Sequence, residues 1–443
     1  MPATGPSLCT GIACRHCDRG RGEGGPVSYR PCLWRRFCRD TRGNDAMIFG
    51  IVLVPLIGLI GLAIDYGIWT HQRAALFKAA DSASIAGLRR LLDAIAQGDT
   101  GGAATRAEAT AAAFITASGI GATVNLVSAS TGDPPKVTVE LSQRAGVFFS
   151  RIVFPELVDI GVVSEAVATR VPDACVIALE PTARVGIDFN LSGSVVAHNC
   201  SIWSNAQTDR SIDGNGSGSV KSAATCAVGT ALAKAKISFE PAVRSGCLPV
   251  HDPLASWEPP AVAGCSASNT RLEKPGIYIL DPGVYCGGLA IHGGAVVRLK
   301  PGLYVMKDGP LTVLGNSSLS GSDVSILLTG RRAAVNFGGA AVVDLSAPSS
   351  GPMAGIVIAA GRDQPIETSV LRGGSLFRLE GHLYLPTHDL RYSGGPSGAL
   401  PADYTTVVGR TITFDGNVQI DFRKSTSAPS YAAKAFIGIH IVR

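Results

Sequence analysis

Charge is scarce in this sequence. Only 16% of its residues are Asp, Glu, Lys or Arg, and aromatics make up 6%. A chain with so little charge and 46% hydrophobic residues is not disordered over its length. Its 53 glycines also exclude an ordinary helical bundle, because helix interiors tolerate few of them. Catalytic signatures are missing as well: there is no His-Glu-x-x-His, no Gly-x-Ser-x-Gly and no Walker loop. The eight histidines are scattered, and His251-Asp252 reads as a loop pair. The net charge of +5 does not mark a nucleic-acid surface. Eight Arg stand against four acids in residues 1–45, which leaves about +1 for everything after them. No enzymatic activity, no cofactor, no metal and no nucleic-acid partner is expected.

What is present begins with one apolar run. Ala46 to Trp69 reads AMIFGIVLVPLIGLIGLAIDYGIW and carries no charge before Asp65. The uncharged part, Ala46 to Ile64, rises about 28 Å as a helix, close to the hydrocarbon thickness of a bilayer. A signal peptide's apolar stretch is shorter, roughly 7–15 residues, so a retained anchor is expected. Its marker residues are Ala46, Met47, Phe49, Pro55, Gly58, Asp65, Tyr66 and Trp69. Arg35, Arg36, Arg39 and Arg42 crowd the flank before it. By the positive-inside rule they hold the N-terminus in the cytoplasm and send the bulk across. The expected location is the inner membrane, single-pass, with a periplasmic body.

Cysteine usage agrees with that topology. Cys9, Cys14, Cys17, Cys32 and Cys38 precede the run, and Cys175, Cys200, Cys226, Cys247, Cys265 and Cys286 follow it. The even number after the run suits an oxidising compartment, and Cys265–Cys286 is the one pair singled out, across the turn between them. Cys14-Arg-His-Cys17 lacks a second ligand pair at zinc spacing, since Cys32 and Cys38 stand six apart.

The rest divides by texture. Residues 1–45 read as a basic cytoplasmic tail, mostly disordered, and 46–69 as the membrane helix. An Ala-rich, Pro-free stretch from His71 to Ala96 makes a stalk helix within 70–102. Its small and apolar residues Ala75, Leu76, Ala79, Ala80, Ala83, Ala86 and Gly87 fall three and four apart. That narrow face suits packing on its own domain and a partner helix equally. Residues 103–172 read as a small α/β module: a helix over 105–118, strands over 123–128 and 136–141, a short helix over 147–154 and a long strand over 158–169.

From residue 173 to 443 the pattern is Gly-punctuated short strands that repeat. The corner glycines Gly293, Gly315, Gly338, Gly373, Gly394 and Gly416 are separated by 22, 23, 35, 21 and 22 residues. Weaker copies stand at Leu191-Ser-Gly193 and Ile212-Asp-Gly214. A period near 22 with one tight corner per copy predicts a right-handed parallel β-solenoid, with an inserted loop around 346–352 or 362–368 in the long step. A sandwich or jelly roll is the competing fold. The fold class is therefore mainly β with an N-terminal transmembrane helix, a small α+β module and a β-helix-like body. A second repeat, Pro-Gly-aliphatic-Tyr, occurs at Pro275–Tyr278, Pro282–Tyr285 and Pro301–Tyr304 and reads as structural punctuation. The residues before the corner glycines are His292, Leu314, Phe337, Arg372, Ser393 and Asp415. No acid recurs there, so no carboxylate ladder for calcium or for acid/base catalysis is expected.

Phe37–Leu88 resembles the N-terminal segment of TadE/TadG-like Flp pilus-assembly proteins. The residues that carry the resemblance are the basic Arg42-Gly-Asn entry, the Pro-bearing apolar helix, Ala63-Ile-Asp65-Tyr66, and Ala79-Ala-Asp81-Ser-Ala-Ser-Ile-Ala-Gly87. The family implies a structural or assembly component of a tight-adherence pilus. Its implied partners are the bilayer and other pilus-assembly membrane proteins. A polysaccharide-binding adhesin or a membrane-tethered carbohydrate-active solenoid is the alternative, with a surface glycan as partner. Two departures from the family matter. The fifth residue after Gly43 is Ile48 rather than Glu, so the anchor reads as uncleaved. Val176-Ile-Ala-Leu-Glu180-Pro-Thr182-Ala-Arg184 lacks the Asp and the final Ser of a metal-dependent adhesion site.

Overall fold

The computed structural model describes residues 44–98, 101–146, 149, 159–234, 236–372, 376–394, 405–423 and 433–442. The chain forms two compact units: residues up to Gly67 with Val147–Pro155, and Ile68–Gly146 with Glu156–Arg443. Helix α1 (Asn44–Ala96) is one element of 53 residues, about 80 Å long, with Pro55 inside it. No glycine or proline breaks it at residue 70, so anchor and stalk are continuous. In the first unit every described side chain from Met47 to Gly67 is exposed except Gly61 and Asp65. A helix that is apolar all round and uncovered needs lipid rather than water, and this one is long enough to cross a membrane.

The second unit gives the later turns of α1 a different role. Leu76, Ala79, Ala80, Ala83, Leu88 and Leu91 are buried against Ala103, Ala107, Ala111 and Ile115 of α2 (Ala103–Ala117). The same core takes in Val137, Val139 and Leu141 of β2 (Lys136–Arg144) and Ile160 and Val162 of β3 (Asp159–Ala178). The small-residue face therefore packs on its own module. That module's sheet is antiparallel, with β1 (Thr123–Ser130) on β2 and β2 on β3. The strand Ala433–Val442 leaves the solenoid and pairs antiparallel with the other side of β3. The expected short helix over 147–154 falls almost wholly outside the described residues.

β3 runs 20 residues because it serves two sheets: its second half is a rung of the solenoid. The body is a parallel β-solenoid of about ten turns, each contributing to three strand columns. Its spatial order is not its chain order. The first column runs 267–268, 283–286, 302–307, 324–329, 356–360, 381–385 and 405–409. It then continues through 174–178, 201–204, 224–227 and 244–245. The last turn in sequence thus stacks on the first, in all three columns.

Inward residues repeat in register. Tyr392, Phe414 and Phe189 stack with centroids 5.3 and 5.2 Å apart, and Phe239 meets Phe189 edge-on at 5.6 Å. The Pro-Gly-aliphatic-Tyr motif closes its own turn. The hydroxyls of Tyr278, Tyr285 and Tyr304 donate to the carbonyls of Lys274, Asp281 and Lys300, the residues just before each proline, at 3.2, 2.7 and 3.0 Å. The long step is explained by the turn from the third column to the first. Elsewhere that turn is Lys300-Pro301 or Ser322-Asp323, but here it is residues 347–355.

One turn interior is polar. His388 and Ser369 are buried, and the Ser369 hydroxyl accepts from Val335 N–H at 3.2 Å while lying 2.8 Å from His388 Nδ1. Burial lowers the His388 pKa from 6.5 to about 4, against the opposing pull of Glu367 and Asp389. The unfolded chain therefore binds a proton between pH 6.5 and 4 that the folded chain refuses. Stability is full above pH 6.5 and falls by about 3 kcal/mol as pH drops to 4. Denaturant midpoints across that range should show the loss in the native protein, and His388→Gln should flatten it.

Candidate functional site

The residues that carried the family resemblance have defined places. In the first unit, Asp65 is fully buried and its Oδ2 accepts Phe149 N–H at 2.9 Å. One turn earlier, a Cβ on Gly61 would lie 2.6 Å from Phe149 Cβ, so only glycine admits that ring. Met47, Phe49 and Tyr66 are exposed, and Gly58 has open space beside it. Ala46 is helical, and nothing is described of its side chain; Arg35, Arg36, Arg39 and Arg42 lie outside the described residues.

In the second unit, Trp69 Nε1 donates to Gly146 O at 3.2 Å and Gly146 N–H donates to Gln72 at 3.4 Å. The Asp81–Gly87 stretch is a seat for the module. Ser164 of β3 donates to Asp81 Oδ1 at 2.7 Å and lies 3.2 Å from the Ser84 hydroxyl. Ser84 in turn reaches Asp81 O at 3.0 Å. At Gly87, a Cβ would stand 3.0 Å from Ala107 O, 3.1 Å from Ala111 Cβ and 3.2 Å from Val137 Cγ1. The glycine, unfavourable in a helix interior by about 1 kcal/mol, is there for close approach of α1 to α2 and β2.

Residues 43–97 match the family model described as "Putative Flp pilus-assembly TadE/G-like". No curated protein and no solved structure matches the chain. The TadE/G-like segment ends where α1 ends, so it comprises the apolar span and the seat of α1 on the module. Ser164, which receives that seat, lies outside the matched segment and carries no sequence signal of its own.

Beyond the TadE/G-like segment, the solenoid has two further constellations. The first is a strap, residues 246–266, which returns along the outside of the first column. Cys247 is bonded to Cys226 at one end and Cys265 to Cys286 at the other, while Cys175 joins Cys200. In its middle, Asp252 accepts from Tyr384 OH at 2.6 Å and from Arg362 Nε at 3.0 Å; Arg362 also donates to Leu254 O. Trp257 Nε1 donates to Pro352 O at 3.0 Å, and its ring meets Tyr384 edge-on at 5.7 Å. Asp252 is therefore part of a clamp, and the inserted turn at 347–355 supplies part of its grip. Sequence reasoning missed the strap, because a Pro-rich segment without periodicity looks like a loop.

The second is a polar face on the second column. Stacking the last turn on the first aligns Arg391, Thr413, Asp188 and Asp213 in one row, and Ser393, Asp415, Asn190 and Asn215 in the next. Asn190 Nδ2 donates to Asp415 Oδ1 at 2.9 Å, and buried Asp213 pairs with Arg210. Burial first, then the neighbouring Asp213, raises the Asp188 pKa, with Asp415 adding to it. Asp188, Asp213 and Asp415 thus become neighbours through strand register and not through an acid recurring before the corner glycines, and among the described residues no group of three or more is arranged to hold a metal ion.

The corners themselves are of two kinds. Gly293, Gly315, Gly394 and Gly416 have φ of 63°, 73°, 107° and 78°, in the region that favours glycine. In the third copy the left-handed residue is Gly339 (φ 69°) rather than Gly338, and Gly373 lies outside the described residues. Where the adhesion-type metal motif would stand, Glu180 instead accepts from Thr182 Oγ1 at 2.6 Å and Thr182 N–H at 3.1 Å, closing a turn. The seat predicts a graded response in full-length protein held in detergent. Gly87→Leu should cost roughly 2–3 kcal/mol by overpacking, and Asp81→Ala about 1–2 kcal/mol by removing the carboxylate that accepts from Ser164. Thermal unfolding would read both.

Proposed function

We propose that this protein is a membrane-anchored structural or assembly component of a Flp-type tight-adherence pilus. It spans the inner membrane once, keeps the arginine-flanked N-terminus in the cytoplasm, displays its solenoid in the periplasm, and performs no catalysis. The observation that carries this reading is the match at residues 43–97 falling on a helix whose apolar half is uncovered. The arginines before the span support the orientation. The disulfides Cys175–Cys200, Cys226–Cys247 and Cys265–Cys286 support an oxidising compartment for the body. A reporter fused after Arg443 should be active only when exported, and the solubilised protein should co-purify with pilus-assembly membrane proteins. Reporter activity in the cytoplasm would overturn the topology.

The polar face favours a second reading, a membrane-tethered solenoid that binds or cleaves polysaccharide. There, one carboxyl with a raised pKa (Asp188) stands beside one ion-paired carboxylate (Asp213), the division of labour that acid/base chemistry requires. Glycan release or retention by the purified protein, lost in Asp188→Asn, would shift the assignment. Equal behaviour of the two proteins would leave pilus assembly as the function.

A further inference from the structure

The solenoid ends without a cap among the described residues. At one end, Ala267–Leu272 pairs only with Gly283–Ile291, and Gly276–Leu280 only with Ala295–Leu299. At the other, Ala231–Ala233, Ser238–Glu240 and Arg244–Ser245 each have one neighbour. Inward residues that are fully buried elsewhere are half exposed in these rungs: Leu272, Tyr278 and Leu280 at the starting end, Ala231 and Phe239 at the finishing end. Repeat proteins ordinarily close such ends with a polar cap, since an open edge recruits another strand.

The two edges also complement each other. Both present the same three columns with strands running the same way, because the solenoid progresses in one direction from 267 to 245. Their hydrogen-bond phases match. At the starting end Leu280 O and Leu272 O accept from Lys300 and His292, so by alternation Arg271, Ile277 and Ile279 turn their backbone groups to the free side. At the finishing end Lys234 and Ser238 donate inward to Gly214 O and Gly218 O, and Glu240 O accepts from Ser222, which leaves Ala233 and Phe239 facing out. A rung placed in register sets Phe239 over Tyr278 and Ala233 over Leu272, with each free donor opposite a free acceptor. The molecule already contains one join of this type: turn 405–423 stacks on turn 174–198 with no direct chain connection between them.

We propose that these ends mate head-to-tail between copies of this chain. The finishing end of one solenoid seats the starting end of the next, a heterologous contact that does not close on itself and therefore propagates along the solenoid axis. The exposed side chains at the edges set the register, with Leu232 of one copy beside Arg271 of the next. The proposal does not depend on the pilus-assembly reading, and a solenoid of another function would make the same contact.

The test uses full-length protein in detergent with the five N-terminal cysteines changed to serine. One preparation carries Leu232→Cys and another Arg271→Cys. In register, these residues stand about 4.8 Å apart at Cα, within disulfide range of about 4.4–6.8 Å. The mixture should oxidise to a mixed disulfide dimer, while each preparation alone should stay monomeric on a non-reducing gel. Sedimentation of the native protein should show species that grow with concentration, and Ile279→Pro, which removes a free-side donor but no internal bond, should abolish them. A single concentration-independent species, or links only between like variants, would overturn the proposal.

Discussion

The solenoid depends on covering a ladder that faces the wrong way. Val284, Val305, Leu327, Ala359, Tyr384, Val408, Ile177, Trp203 and Cys226 lie one above another in register on the outer side of the first column. Their neighbours in each strand point inward and fill the core, so this column is apolar on both faces. An uncovered stripe of that length would be an association site. The strap resolves it: Val250, Leu254 and Trp257 lie on the ladder, and a disulfide holds each end.

The strap follows from the permuted order of turns. After residue 245 the chain is at one end of the stack, and it resumes at 267 at the other. Roughly ten rungs at about 4.8 Å make about 48 Å, inside the roughly 70 Å reach of an extended segment of that length. The crossing segment is held close to the column by its apolar contacts and its two disulfides, and so serves as its cover. Buried carbonyls along its path need partners. Trp203 Nε1 donates to Leu248 O at 2.9 Å, and Asn205 exchanges two hydrogen bonds with Val250, at 2.6 and 3.0 Å. The strap therefore has defined register as well as apolar contact.

Helix α1 changes character along its length. Its span is apolar all round and exposed from Met47 to Gly67 except at the buried Gly61 and Asp65. Its later turns present small residues where α2 and the sheet come close, with Asp81 and Ser84 fixing the rotation through Ser164. Spacing alone could not say whether that narrow face met its own domain or a partner. Alanines three and four apart look the same in either case, and the partner residues Ala107, Ala111 and Val137 belong to distant elements.

Local properties were legible in the sequence. The apolar run, the Gly corners and the Pro-Gly-aliphatic-Tyr turns are each satisfied within a few residues, so Asp281 and Tyr285 or Gly293 announce their geometry where they stand. The order of the turns was not legible, because which rung stacks on which is decided by pairing between segments such as 411–416 and 187–191, far apart in the chain. For the same reason Asp188 and Asp415 came together unannounced. By itself the sequence determined the repeat, its corners and the membrane-length helix, all products of short-range sterics and hydropathy. Only the tertiary structure decided the permuted stack, the strap across it and the open ends, because those depend on which backbone edges and apolar faces remain to be satisfied once the turns have formed.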